Sequence, residues 1–296
     1  MLRAVAPALA CALLPATMLL AADSEEHMRK SIPVSSATRL VLNADGGGVR
    51  LEPGSAKTVE VEVDFRGGRP SRGDLERLHR DFRLDVSQQG SDIRVRGEFR
   101  DRDWPFGFLR WFTWPREIEY HVMIPQNFDA DVETSGGPID VSDLHGHLRA
   151  HTSGGPVRVT SIAGDADVST SGGSITIERN AGRVRAHTSG GPIDIREAEG
   201  AVDASTSGGP VTASLLRQPR EDCRLTTSGG HIDVRLSRDI HVDLDASTSG
   251  GHVWTDFPVT TVGYRESSEL RTALNGGGPR LYLHTSGGGI SVRHSN

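Results

Sequence analysis

The sequence predicts an all-β fold, a β-solenoid of two-strand coils about 18 residues long, with a degenerate β-rich N-terminal part and one short helix. Three observations carry this. The word Thr-Ser-Gly-Gly begins at Thr134, Thr152, Thr170, Thr188, Thr206, Thr227, Thr248 and Thr285, in steps of 18, 18, 18, 18, 21, 21 and 37. Each copy is followed by strict alternation of apolar and polar residues. Glycine makes up 35 of 296 residues, well above the usual ~7%, without the every-third-residue period of collagen.

Residues 1–22 read as a secretory signal peptide: Arg3, then an apolar run broken by Pro15, then small residues before Asp23. Cleavage near Ala22 would leave 32 basic against 39 acidic groups, a net charge of −7 (32 − 39). That balance excludes a general nucleic-acid binder. No second apolar run reaches 18 residues, so no transmembrane segment is expected in the mature chain. Cys223 is the one cysteine left, which rules out an intramolecular disulfide in an exported product.

The chain then divides into 23–133 and 134–296. In the first part, residues 39–51 fit the repeat template, with Leu40, Leu42 and Ala44 inward and Gly46-Gly47 at the corner. Strands are expected at 58–65, 92–99 and 117–124. Residues 71–82 read as a short helix, with Ser71 and Asp74 as a capping box and Leu75, Leu78 and Phe82 on one face. Such a helix could cover an open sheet edge.

Residues 104–114 hold six of the chain's fifteen aromatics: Trp104, Phe106, Phe108, Trp111, Phe112 and Trp114. Two readings stand side by side. The rings plug the end of the solenoid, or they form a contact surface for a partner, glycan or membrane interface.

In 134–296, a β-branched residue stands five positions after each Thr: Ile139, Val157, Ile175, Ile193, Val211, Ile232, Val253 and Ile290. Period-2 alternation marks a strand with one buried face. A second strand precedes each Thr, and parity turns the Thr inward and the Ser outward. Gly-Gly is expected to supply positive φ at one corner, and Gly146, Gly164, Gly182 and Gly200 punctuate the other. Coils about 4.8 Å apart would build a stack roughly 40 Å long. Arg149, Asp167, Arg185 and Asp203 fall in one outward column of alternating sign, which favours this register. Hexapeptide helices and calcium-binding nonapeptide rolls are set aside, because Pro138, Pro156 and Pro192 and the Gly-Gly-Pro-Ile-Asp spacing break their patterns. Residues 260–279 read as an irregular loop with a half-coil corner at Asn275-Gly276-Gly277.

No catalytic residue, cofactor or metal ligand is expected. Ser135 and its equivalents are interchangeable corner residues, whereas a catalytic serine is unique and paired with one base. His151 and His187 lie two coils apart, roughly 9–10 Å, too far to share an ion. His231 and His252 replace the Pro after Gly-Gly and are expected to be adjacent across coils. Asp140, Asp194 and Asp233 are separated by Arg158, Thr176 and Thr212, so no acid–base pair gathers.

The signal sequence, the early Asp-Gly-Gly-Gly-Val at residues 45–49, Met123-Ile124-Pro125 and the Thr-Ser-Gly-Gly coils resemble the bacterial putative-adhesin β-strand-repeat family. The resemblance covers about residues 35–296 and implies a solenoid-like domain outside the cytoplasm, with no catalytic residues carried over. The expected function is a non-enzymatic, exported adhesin-like binding or scaffold protein of the bacterial envelope. Its partner would be an envelope polysaccharide or protein. The alternatives are a carbohydrate-active enzyme on a β-helix and an accessory protein of envelope stress sensing.

Overall fold

The computed structural model describes residues 26–34, 36, 38–67, 70–100, 117–258 and 268–295. Two twelve-stranded sheets enclose one apolar interior. Each repeat gives one strand to each sheet. Strands that end on the repeated Thr, such as Leu148–Thr152 and Ala166–Thr170, form the Thr sheet. Those that begin on the β-branched residue, such as Val157–Ile162 and Ile175–Asn180, form the Ile sheet. Equivalent residues pair in parallel with an 18-residue offset: Thr170 with Thr152 and Thr188, Ile175 with Val157 and Ile193.

This register fills the interior. Every member of the Ile139–Ile290 column is at most 6% exposed, and so is every repeated Thr. Each buried Val or Ile contributes about 1.5–3 kcal/mol of transfer free energy. Asp131, Arg149, Asp167, Arg185, Asp203 and Arg224 follow one another on laterally paired outward positions, a longer alternating column than the sequence suggested.

The Thr-Ser-Gly-Gly corner works differently from expectation. Its glycines do not take positive φ. The second glycine is required by stacking: a Cβ on Gly173 would fall well inside 3.0 Å of the Gly155 carbonyl oxygen one coil below, and the same holds from Gly137 through Gly230. The first glycine is far less crowded; a Cβ on Gly172 would meet the Gly154 oxygen at 3.7 Å. The buried Thr latches the corner. Thr170 Oγ1 donates to the Gly155 carbonyl at 2.9 Å and accepts from the Gly173 N–H at 3.2 Å. Equivalent donations run along the stack from Thr134 to Thr285 and Thr248. A buried hydroxyl is thereby satisfied twice, as burial demands.

Left-handed backbone instead occurs near the opposite corner, at Asp143, Ser161, Arg179 and Glu197, with φ of 53–59°. Each is an extra residue that resets parity, so Leu144, Ile162, Asn180 and Ala198 turn inward after the regular alternation ends.

Chain order and spatial order part at both ends. The first coil, Arg39–Ala44 with Gly48–Pro53, lies between the coil of Asp92–Phe99 with Glu117–Ile124 and that of Asp129–Thr134 with Ile139–Leu144. The last coil, Arg280–Thr285 with Ile290–His294, slots between Cys223–Thr227/Ile232–Leu236 and Val242–Thr248/Val253–Thr255. Residues 260–279 are therefore not wholly irregular. Glu269–Leu274 pairs antiparallel with Val242–Thr248 and buries Leu270 and Leu274 before the Asn275–Gly277 turn.

Antiparallel strands close the N-terminal edges: Phe82–Gln89 on the Thr sheet, Thr58–Arg66 and then Glu26–Pro33 on the Ile sheet. Covering parallel edges in this way limits edge-to-edge association. The expected helix spans Arg72–Asp81 and carries the Ser71/Asp74 capping box. Leu78 is buried, and Phe82 packs edge-on to Phe65 and Phe99 with centroids 4.9 and 5.1 Å away. Inside the stack Tyr120 fills the space over Gly97, where a Cβ would overlap its ring.

Candidate functional site

The outer face of the Thr sheet is the most regular surface among the described residues. Two columns run side by side along the stack. One is the alternating Asp/Arg column. It continues past Arg224 through Tyr282, whose ring lies under the guanidinium groups of Arg224 (4.7 Å) and Arg280 (5.0 Å), to Asp245. Tyr282 thus stands where the next acid of the alternation would be, offering its π-face to two cations. The other column alternates imidazole and hydroxyl: His151, Ser169, His187, Ser205. His151 Nδ1 lies 2.9 Å from Ser169 Oγ, and His187 Nδ1 lies 2.8 Å from Ser205 Oγ. These histidines are separated by Ser169, so they do not converge on one ion.

Beside the Asp/Arg column runs a groove of about 310 Å³, bordered by Asp131, Arg149, Asp167 and Arg185 on one side. On its other side His147, Asp165 and Arg183 form a third column. Asp129 accepts from the His147 N–H (2.8 Å), His147 Nδ1 from the Asp165 N–H (3.1 Å), and Asp165 from the Arg183 N–H (2.9 Å). Side chains of one coil therefore cap amides of the next, which fixes the groove wall by hydrogen bonds across coils.

At the C-terminal end Asp245 accepts from Arg280 and from Arg271, the latter at 3.2 Å. Hydrogen bonding to Arg280 is the main reason its carboxyl is held below the usual carboxylate range. Cys223 is buried, and burial pushes its thiol up. Burial, with the Asp45 charge second, raises the Tyr120 phenol likewise.

The outer face of the Ile sheet carries a different cluster at its N-terminal end. His27 faces Asp64, which faces Glu119; on the next row of that face Arg29 faces Glu62, which faces His121. Asp64 has only 8% of its side chain exposed, and its oxygens lie 2.6 Å from His27 Nδ1 and 3.5 Å from His121 Nε2. Arg66 reaches Asp64 at 3.3 Å and Glu119 at 3.0 Å.

Among the described residues, the serines and histidines singled out in the sequence do not come together. The serines of the repeat remain separate exposed corner residues, one per coil. His231 and His252 are not adjacent as expected. Ile290 pairs with both Ile232 and Val253, so Gly289 of the inserted last coil lies between them. Trp104, Phe106, Phe108, Trp111, Phe112 and Trp114, and the signal segment 1–22, lie outside the described residues. The His27–Asp64–His121 cluster was missed in the sequence. Its signal was the run Glu60, Glu62, Asp64 on one face of a strand whose other face is Val59, Val61, Val63.

The Toastrack DUF4097 profile matches residues 37–293. The chain belongs to the Toastrack family. Solved structures match the chain over most of its length at low identity. A putative adhesin from Bacteroides fragilis NCTC 9343 is 11% identical, with 92% of this chain and 99% of that one covered and a TM-score of 0.49. A putative adhesin from Parabacteroides distasonis ATCC 8503 is 12% identical over 91% and 97%, with a TM-score of 0.41. A putative lipid binding protein from the same strain gives 12%, 91%, 97% and 0.37. No functionally curated protein matches this Toastrack chain.

Proposed function

We propose that this Toastrack protein is an exported, non-enzymatic binding or scaffold protein of the bacterial envelope that holds an extended ligand along the outer Thr-sheet face. The observation that carries the reading is the pair of register-locked columns, Asp/Arg and His/Ser, with the groove beside them. A surface whose groups recur every second coil, about 9.6 Å, presents the same donors and acceptors again and again. It suits a ligand that also repeats in one dimension, above all an envelope polysaccharide, with an extended protein segment as the other class. Exposed charges of this kind contribute specificity and association rate more than raw affinity. Alternation of sign also works against hydrolysis of a glycan, which needs two carboxylates converging on one bond.

The signal-like segment 1–22 read from the sequence supports export. Among the described residues no helix is long and apolar enough to cross a membrane.

The test is to incubate purified protein with envelope polysaccharide, then measure both retention on the insoluble polymer and release of new reducing ends. Retention without new ends is expected. New ends generated by the protein would establish the carbohydrate-active enzyme in its place, and absence of retention would refute polysaccharide as the ligand.

A further inference from the structure

We propose that His27, Glu62 and Asp64 form a binding site for one divalent transition-metal ion of the zinc class on the outer face of the Ile sheet. Their three donor atoms lie within 4.8 Å of one another. An imidazole and two carboxylates form a mixed nitrogen–oxygen donor set, which favours zinc, copper or nickel over magnesium and calcium. Three protein donors leave a fourth tetrahedral position to solvent.

The fold prearranges the set. His27 and Asp64 are opposed on antiparallel strands, and Glu62 lies two residues along the same strand and face as Asp64. The central carboxylate is already positioned. Asp64 is 8% exposed at its side chain, and its second oxygen is oriented by Arg66 at 3.3 Å and approached by His121 Nε2 at 3.5 Å. Outer partners of this kind fix ligand orientation at metal sites.

Two adjustments admit the ion. His27 Nδ1 and Asp64 Oδ1, now 2.6 Å apart, must separate by somewhat under 1 Å, because two ligands each ~2.0–2.2 Å from one zinc sit ~3.3 Å apart. Glu62 must leave Arg29, which it meets at 2.8 Å. Arg29 is mostly exposed, and exposed ion pairs are weak enough for the exchange to be easy. The imidazole binds in its neutral form. This inference is independent of the binding reading for the Thr-sheet face, which uses none of these residues.

Zinc titration of the purified full chain by calorimetry, with calcium as the comparison, tests it. The expected result is one zinc ion per chain at a site that calcium does not occupy. Asp64→Asn and Glu62→Gln should each weaken that site ~10-fold or more, of the order that perturbing even outer-shell partners produces. His27→Gln alters a half-exposed side chain and should abolish the site without lowering the melting temperature. Asp140→Asn, three strands away in the same sheet, should leave zinc affinity within about twofold. Cobalt substitution supplies a second readout, a visible absorption band lost in His27→Gln. Zinc binding unchanged in His27→Gln, or no stoichiometric site in the parent protein, would overturn the proposal.

Discussion

Replacing the two glycines of one corner separately should give opposite results, although they are neighbours in the same four-residue word. A methyl group on Gly173 falls well inside 3.0 Å of the Gly155 carbonyl oxygen, which is backbone and cannot swing away. That oxygen also accepts the Thr170 hydroxyl. Coil 166–180 would have to lift off coil 148–162, stretching the ladder bonds on both sheets and the Thr latch together. Overpacking of a close-packed interior costs about 1–3 kcal/mol and sometimes more; with a latch bond lost as well, Gly173→Ala should cost at least about 3 kcal/mol. For a domain of this size each kcal/mol shifts the melting temperature by roughly 2–4 °C, so the expected drop is about 6–12 °C. At Gly172 the new methyl meets the Gly154 oxygen at 3.7 Å, ordinary contact. Gly172→Ala should therefore stay within about 1 kcal/mol of the parent, because reduced unfolded-state entropy offsets any small crowding. Urea unfolding followed by circular dichroism, beside scanning calorimetry, measures both variants. Equal effects at the two positions would refute the stacking explanation of the repeat.

Other outcomes follow from the same geometry. Ile175→Ala removes a fully buried side chain and should cost about 2–5 kcal/mol in the same unfolding assay; a cost below 1 kcal/mol would mean the column is not close-packed. The Cys223 thiol, buried and with its ionisation suppressed by burial, should resist a thiol reagent at pH 8 in the native protein and react fully in urea. Asp245 has a folded-state carboxyl below its unfolded range, chiefly through Arg280. A depressed carboxyl stabilises above the unfolded value near pH 4 and loses that contribution as pH falls through the folded value. Asp245→Asn should accordingly be less stable than the parent at pH 7, with the gap closing in acid below about pH 4.

The repeat made the architecture readable because two separate signals agreed on it. A period of 18 set the coil, and apolar alternation set which side faced in. The inward Thr column, the Ile/Val column, the Arg149–Asp203 column and the Ser71–Asp74 capping box all follow from parity or spacing alone, and all are present. What stayed hidden has physical causes. The role of Gly173 depends on the Gly155 carbonyl, eighteen residues away in the coil below (173 − 155), so composition pointed to φ freedom where close approach was the constraint. The left-handed positions carry Asp, Ser, Arg and Glu, and of these only Asp143 is a residue type enriched at positive φ.

The insertion of the last coil beneath Val242–Thr248 could not be read either. Strand pairing there skips a level and returns, and the repeat word is identical at every level. That insertion placed Gly289 between His231 and His252 and undid their expected adjacency. The His27–Asp64–His121 cluster joins three strands from three parts of the chain, and only the pairing register brings them together.

The ordered columns of the Thr-sheet face are the proposed ligand-binding surface. The direct measurement is equilibrium binding to envelope polysaccharide by the parent and by a variant carrying Arg149→Gln, Arg185→Gln, His151→Gln and His187→Gln. These outward side chains sit on two parallel columns, away from the buried core, and the melting temperature of the variant should stay close to the parent's. Binding at least ~10-fold weaker at preserved stability, equivalent to about 1.4 kcal/mol, is the predicted result. Undiminished binding by the folded variant would contradict the claim.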